Sequence, residues 1–345
     1  MVHVGLDLSR LRVDVCALDD AGALLTRTTA SPDAEGLRVL ADRLAPLGEV
    51  SAVVESMTGA RFVRDELVAC GWEVLIADAV KVKGLAPLAC KTDKIDAQVL
   101  AELSRRDLVP QVWLPGPAVR QVRELSRFRI HLVKHSTMLR SRIHSALITY
   151  GIPCRTSDLF GVGGRQQLAQ LELPEPWAGN VLSMLSVIDH LGAEISELER
   201  QLRKLSSQDP AVPLLMTAPG IGPILGFTIA AEIGDITRFP SPRQLVSYTG
   251  LVPRVYQSGN SDRRGPLAKN GPRYLRWALI EAAMHAARHP AYHDHYQRTK
   301  TRLGKQRGSK IARVEVARKL TEAIWHMLST NTSFAPAGAA SVLAA

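Results

Sequence analysis

Long apolar runs are missing from this chain. No stretch approaches the roughly 20 residues that a bilayer-spanning helix needs, and the first residues lack a basic, apolar, small-residue leader pattern. Neither a membrane span nor secretion is expected, and the cytoplasm is the expected compartment. Cysteine is scarce too. Cys16, Cys70, Cys90 and Cys154 show no CxxC spacing and no nearby histidine partner, which argues against a thiolate zinc site or a disulfide framework. Reduced, mostly buried thiols are expected.

What is present is a chain of 345 residues with 46% apolar residues, too long for one comfortable core, so two domains and a connector are expected. Charge is divided unevenly along it. Residues 1–108 hold 13 Lys and Arg against 17 Asp and Glu, whereas residues 109–345 hold 30 against 16. A basic half favours a polyanion through counterion release, and an acidic half would repel one unless it held cations. Basic residues that merely solubilise a surface are the plain alternative.

Residues 1–108 read as three strands in a meander (Val2 to Asp7, Arg12 to Leu18, Leu24 to Thr29), followed by alternating helices and strands. The order predicts helices at Ala34 to Leu44, Ala60 to Cys70, Val80 to Leu88 and Asp93 to Arg106, and strands at Val50 to Val54 and Trp72 to Ile76. That is a mixed α/β sheet of RNase H-like (RuvC-type) order. Pro110, Pro115 and Pro117 mark a linker, so residues 109–208 read as linker and coiled-coil helices. A basic helix spans Val119 to Thr149, with Arg120, Arg123 and Arg127 on it. The seam Val181, Met184, Ile188, Leu191, Ile195, Leu198, Leu202, Leu205 predicts a coiled coil, with its partner either in the same chain or in a second subunit. Residues 151–178 read as loop. Residues 209–332 form a mostly α domain with helices at Ile224 to Ile233, Arg273 to Arg288 and Lys310 to Ser329, and residues 333–345 are a small-residue tail expected to be disordered.

Two groups carry chemistry. Asp7 ends the first strand, Glu55 ends the fourth, and Asp93 and Asp96 sit three apart at a helix start, on one face. Four clustered carboxylates repel one another unless a divalent cation lies among them. Hard oxygen donors suit Mg2+ or Mn2+, the ions of phosphodiester chemistry. Singly, Asp93 also suits a helix N-terminus and Asp96 a neighbouring lysine. The second group is the polar stretch Gln257 to Gly271, which lacks apolar periodicity and reads as a flexible loop. A serine there, near Arg263, Arg264, Lys269 and Arg276, could attack a phosphodiester. A solvated Ser-Gly turn is the plain reading. Gly220 and Gly222 resemble a phosphate-binding helix entry, and Arg273 and Arg276 could track a nucleic-acid backbone.

The motifs Gly5-Leu6-Asp7, Val54-Glu55 and Lys91-Thr92-Asp93-Lys94-Ile95-Asp96-Ala97 resemble the DEDD signature of the insertion sequence 110 transposases. Ala218-Pro219-Gly220-Ile221-Gly222-Pro223, Gly250-Leu251-Val252-Pro253-Arg254, Ser258-Gly259, Lys269-Asn270-Gly271 and Tyr274-Leu275-Arg276 resemble that family's second domain. The resemblance implies a RuvC-like domain, a coiled-coil connector and a transposase domain. It also implies a metal bound by Asp7, Glu55, Asp93 and Asp96, a covalent serine–DNA intermediate with Ser258 as nucleophile, and a structured guide RNA. A dimeric or tetrameric assembly is implied as well. Ser261 competes with Ser258 on spacing alone, the pairing with glycine favouring Ser258. A site-specific invertase with the same apparatus and a metal-only structure-specific nuclease are the alternatives.

Overall fold

The computed structural model describes residues 1–85, 93–154, 156–258 and 261–336, and divides the chain into two compact units, Met1–Leu114 and Pro115–Ala345. Cys90 and the segment from 86 to 92, including Lys91 and Thr92 of the acidic motif and the end of the helix expected to reach Leu88, lie outside the described residues.

In the first unit β1 (Val2–Leu8), β2 (Val13–Leu18), β3 (Leu24–Ala30), β4 (Val50–Glu55) and β5 (Glu73–Ala77) form one sheet in the order β3-β2-β1-β4-β5. The meander pairs are antiparallel, and β1–β4 and β4–β5 are parallel. Strands β1 and β4 are apolar almost throughout because both their faces are covered, as parallel central strands require. On one face Val4, Leu6, Val15, Ala52 and Val54 pack with Leu37, Leu40 and Leu44 of α1 (Ala34–Leu44) and Val63 and Leu67 of α2 (Ala60–Ala69). On the other, Cys16 and Leu18 meet Ala97 and Ala101 of α4 (Asp93–Arg105), and Val53 and Ala77 meet Leu100 and Leu103 of α4 and Val82 of α3 (Ala79–Leu85). Asp33 starts α1 by accepting a hydrogen bond from the Gly36 amide at 2.8 Å.

The proline-marked linker departs from expectation at its start. The Val112 amide donates to the Ile76 carbonyl at 2.8 Å and the Asp78 amide donates to Pro110 at 2.9 Å, so residues 110–112 cover the edge of β5. An exposed row of unpaired backbone groups there is what the segment satisfies. Of the described cysteines only Cys16 is buried. Cys70 and Cys154 are exposed, because one lies just past the end of α2 and the other in a loop, off any apolar face.

The second unit is mostly helical. Helices α5 (Pro117–Thr149) and α7 (Trp177–Ser206) pack along each other, sharing Ile143, Leu147, Val181 and Ile188. The upper part of the heptad seam therefore finds a partner within the chain. A short helix, α6 (Val162–Ala169), interrupts the segment read as loop. A second core gathers α8 (Ala211–Met216), α9 (Pro223–Ile233), α10 (Pro242–Thr249), α11 (Arg273–Ala286) and α12 (Pro290–Thr330) around Phe227, Leu245, Leu279 and Leu320. Strands β6 (Pro253–Ser258) and β7 (Ser261–Leu267) stand apart as a two-stranded antiparallel ribbon. Helix α12 starts about twenty residues earlier than its basic stretch suggested and is interrupted at Gly304. The tail begins ordered. The Phe334 amide donates to Thr217 Oγ1 at 2.9 Å, and the ring packs on Tyr292 and His289.

Candidate active site

The acidic group is set by the register of β1 with β4 and by the course of α4 over them. Leu6 of β1 pairs with Val54 of β4 in parallel, so Asp7 and Glu55, one residue further on, lie side by side at the C-terminal ends of neighbouring strands. Both fall on the α4 face by the alternation of strand side chains, because Leu6 and Val54 face α1 and α2. The direction of α4 follows from its contacts. Ser104 near its end lies 3.2 Å from His3 Nδ1 and 3.3 Å from Ser51 Oγ, at the beginnings of β1 and β4. A Cβ placed on Gly5 would collide with the Ala97 carbonyl and the Ala101 amide. The helix thus runs antiparallel to β1. At about 1.5 Å per helical residue and about 3.3 Å per strand residue, Asp7 stands about level with the turn Asp93 to Asp96. Asp7, Glu55 and Asp96 are half-buried, and Asp93 opens α4 with a side chain outside the described residues. Among the described residues no three His, Cys, Asp or Glu side chains stand close enough to hold an ion by themselves. The donor chemistry of the set, carboxylate oxygens only, is that of a hard divalent cation.

One carboxylate escaped the sequence reading. Asp14 is the register partner of Asp7 across the β1–β2 hairpin, so the two share a face. It is 4% exposed, and Arg12 Nε donates to its Oδ2 at 2.7 Å. The signal was the acid inside Val13-Asp14-Val15, where alternation puts it on the opposite face from its apolar neighbours.

The second group takes a form that sequence did not suggest. The stretch read as a flexible loop is the β6–β7 ribbon, and Ser258, its last β6 residue, is exposed and opposite Ser261. Gly259 and Asn260 lie outside the described residues. Arg263 and Arg264 are exposed on β7, with Arg264 3.5 Å from Asp262. Lys269 is exposed and has φ of 58° just below the ribbon. Arg276 ties the root: its Nη1 donates to Thr249 O at 3.0 Å and to Asn270 O at 3.2 Å, and burial pulls its pKa down. Its task is to hold the ribbon's base. Arg273 is exposed and stacks on Tyr274, 4.8 Å from the ring centre.

Two other candidate nucleic-acid contacts, Arg123 and Arg127, turn inward. Arg123 is buried and donates to the carbonyls of Ala231 and Glu232 at 2.7 and 2.8 Å, closing the end of α9. Burial lowers its pKa against the pull of Glu232. Arg127 makes a forked pair with Glu232 at 2.7 and 3.0 Å, and Glu232 is 0% exposed. A carboxylate at that depth needs such a partner, which is why these two arginines face inward. Arg120 is half-buried. Gly220 has φ of 81° and lies against the backbone of Ala282 and Ala286 of α11, so close packing alone requires a glycine there. Gly222 caps α9 in extended conformation with open space beside it.

Comparison with known proteins finds two family models that match the chain one after the other. Residues 4–152 match the family model of DEDD type described as "Transposase", and residues 212–298 match that described as "Transposase IS116/IS110/IS902 family". The chain is 29% identical over 251 residues to a "Probable family 20 transposase" of Pseudomonas aeruginosa, covering 71% of this chain and 74% of that protein. It is 28% identical to the "Transposase for insertion sequence element IS1328" of Yersinia enterocolitica, over 81% of this chain and 82% of the relative. With the "Transposase for insertion sequence element IS1111A" of Coxiella burnetii it shares 26% identity over 96% of this chain and 90% of the relative. The DEDD type carries with it a dependence on divalent metal. No helix among the described residues is long and apolar enough to cross a membrane. With both domain types present in order, the chain belongs to the IS110/IS116/IS902 family of transposases, enzymes that cut and rejoin DNA.

Proposed function

We propose that the first unit is an RNase H-like domain of the RuvC type whose Asp7, Glu55, Asp93 and Asp96 hold Mg2+ or Mn2+, and that Ser258 is the nucleophile of a serine–DNA intermediate. The observation that carries this reading is the antiparallel course of α4 over β1, which brings the Asp93–Asp96 turn to the strand ends bearing Asp7 and Glu55. The sheet order and its antiparallel first three strands support the domain type. When bound, the ion supplies polarisation of a phosphoryl oxygen. The exposed end of the β6–β7 ribbon leaves Ser258 accessible, with Arg263 and Arg264 on the paired strand to offset phosphate charge.

The chemistry is an exchange of esters. A bond forms between Ser258 Oγ and phosphorus as a backbone P–O bond breaks, and the departing strand end leaves as a hydroxyl carrying the proton given up by serine. Attack by a hydroxyl of a second strand reverses the process and frees the serine, so no nucleotide energy source is required. The resemblance of both domains extends the reading to a structured guide RNA that selects the DNA, and to a dimer or tetramer built through the α5–α7 coiled-coil region in the cytoplasm.

Incubation with Mg2+, element ends and element-derived RNA, followed by denaturation, is expected to leave a protein–DNA adduct in wild type and in Ser261→Ala but none in Ser258→Ala. Cleavage by wild type without any adduct would support a metal-only nuclease instead. Recombination that proceeds without RNA would support an invertase acting on a fixed locus.

A further inference from the structure

The interruption in α12 is a reversal. In one continuous helix Tyr296 and Ser309 would be about 20 Å apart, yet the tyrosine hydroxyl lies 3.0 Å from Ser309 Oγ. Gly304 has φ of 74° and ψ of 177°, and a Cβ at Gly308 would collide with the Lys300 carbonyl. The two arms therefore lie against each other, with Thr299 and Gly308 buried where they touch. Arg313 fastens the second arm, its Nη2 donating to Ser309 at 3.2 Å and its Nη1 lying 3.8 Å from Met284 Sδ of α11.

The end of this hairpin holds Arg298, Lys300, Arg302, Lys305, Arg307 and Lys310, all exposed. No acidic residue occurs between Asp294 and Glu315. Among the described residues none of the six forms an ion pair; Arg298 donates to a backbone carbonyl, that of Asp294 at 3.3 Å. A solvated surface run normally mixes its signs, because like charges one helical turn apart destabilise the helix. Here a packed, glycine-jointed hairpin gathers six positive charges without relief.

We propose that this hairpin grips the phosphodiester backbone of duplex DNA, independently of sequence and outside the reacting site. Charge complementarity identifies the partner as a polyanion. The residues from 297 to 310 include no aromatic on which an unpaired base could stack, and their charge is the kind that positions a protein on phosphates, so a paired helix contacted through its backbone is the fit. DNA is the duplex this enzyme cuts and rejoins. Each phosphate neutralised releases condensed counterions, giving the enzyme affinity for DNA on either side of its target.

The test uses the full chain and a DNA duplex of arbitrary sequence, with binding followed by fluorescence anisotropy across a salt series. Replacing Arg302, Lys305 and Arg307 together by glutamine is expected to weaken binding at least about tenfold and to make the plot of log affinity against log salt shallower by about 2 to 3. A control variant, Arg61→Gln with Lys81→Gln and Lys83→Gln, removes equal charge elsewhere and is expected to change both far less. Thermal melting should be the same in all three, since the substituted side chains are exposed. Ser258→Ala is expected to bind like wild type, which separates this claim from the proposed chemistry. A hairpin variant that binds the DNA duplex indistinguishably from wild type or from the control would overturn the proposal.

Discussion

Gly5 decides how closely α4 can lie on β1. A methyl group there would run into the Ala97 carbonyl and the Ala101 amide, backbone atoms that cannot turn aside. Gly5→Ala is expected to lower stability by about 1–3 kcal/mol, the usual cost of overpacking, seen as a reduced urea midpoint. It should also weaken Mn2+ binding measured by calorimetry, because Asp96 moves with the helix. Glu102, nearer the end of α4, answers to pH. Its hydrogen bonds with Arg105, at 2.7 and 2.8 Å, and then with Arg106 hold its pKa down to about 2. A folded-state pKa below the ordinary carboxylate value means stabilisation that is complete above about pH 4.5 and lost as pH falls toward about 2. Urea titrations between pH 2.5 and 6 should therefore show a gentler acid loss for Glu102→Gln than for wild type, and parallel curves would refute the assignment.

At the scale of elements, Gly220 separates packing from ligand contact. Gly220→Ala should destabilise the chain, through positive φ and collision with the Ala282 carbonyl, while the stable fraction binds DNA normally. A stable variant with reduced DNA affinity would restore the phosphate-contact reading. The same contrast explains what the sequence conveyed. Strands β1 and β4 and helices α1 and α2 announce themselves because burial imposes their apolar patterns. The β6–β7 ribbon does not, since nearly every residue in it is exposed and no face alternates. The reversal in α12 is likewise silent, turning on one glycine conformation inside an otherwise helical stretch. Arg123 and Arg127 misled for a related reason. Their buried partner, Glu232, lies more than a hundred residues away in an apolar helix, and no local spacing reports it. Asp7 and Glu55 were legible because a carboxylate ending an apolar strand stands out, whereas Asp14, in the interior of β2, needed the hairpin register to be seen beside Asp7.

For the whole molecule, charge division and chemistry run in parallel. The acidic first unit carries the carboxylates, and the basic second unit carries the serine ribbon and the cationic hairpin. A divalent ion would relieve the repulsion in the first, and nucleic acid the excess positive charge in the second, so ligand binding is expected to stabilise each unit by its own route. The central claim is that these two sets serve one reaction, with Ser258 forming the covalent bond and the carboxylates required for it. The most direct measurement is peptide mapping by mass spectrometry after the trapped DNA is digested to a nucleotide remnant. The account predicts the remnant on the peptide bearing Ser258, retained in Ser261→Ala and absent in Asp7→Asn and Glu55→Gln. A remnant on any other residue, or undiminished labelling in the two carboxylate variants, would contradict it.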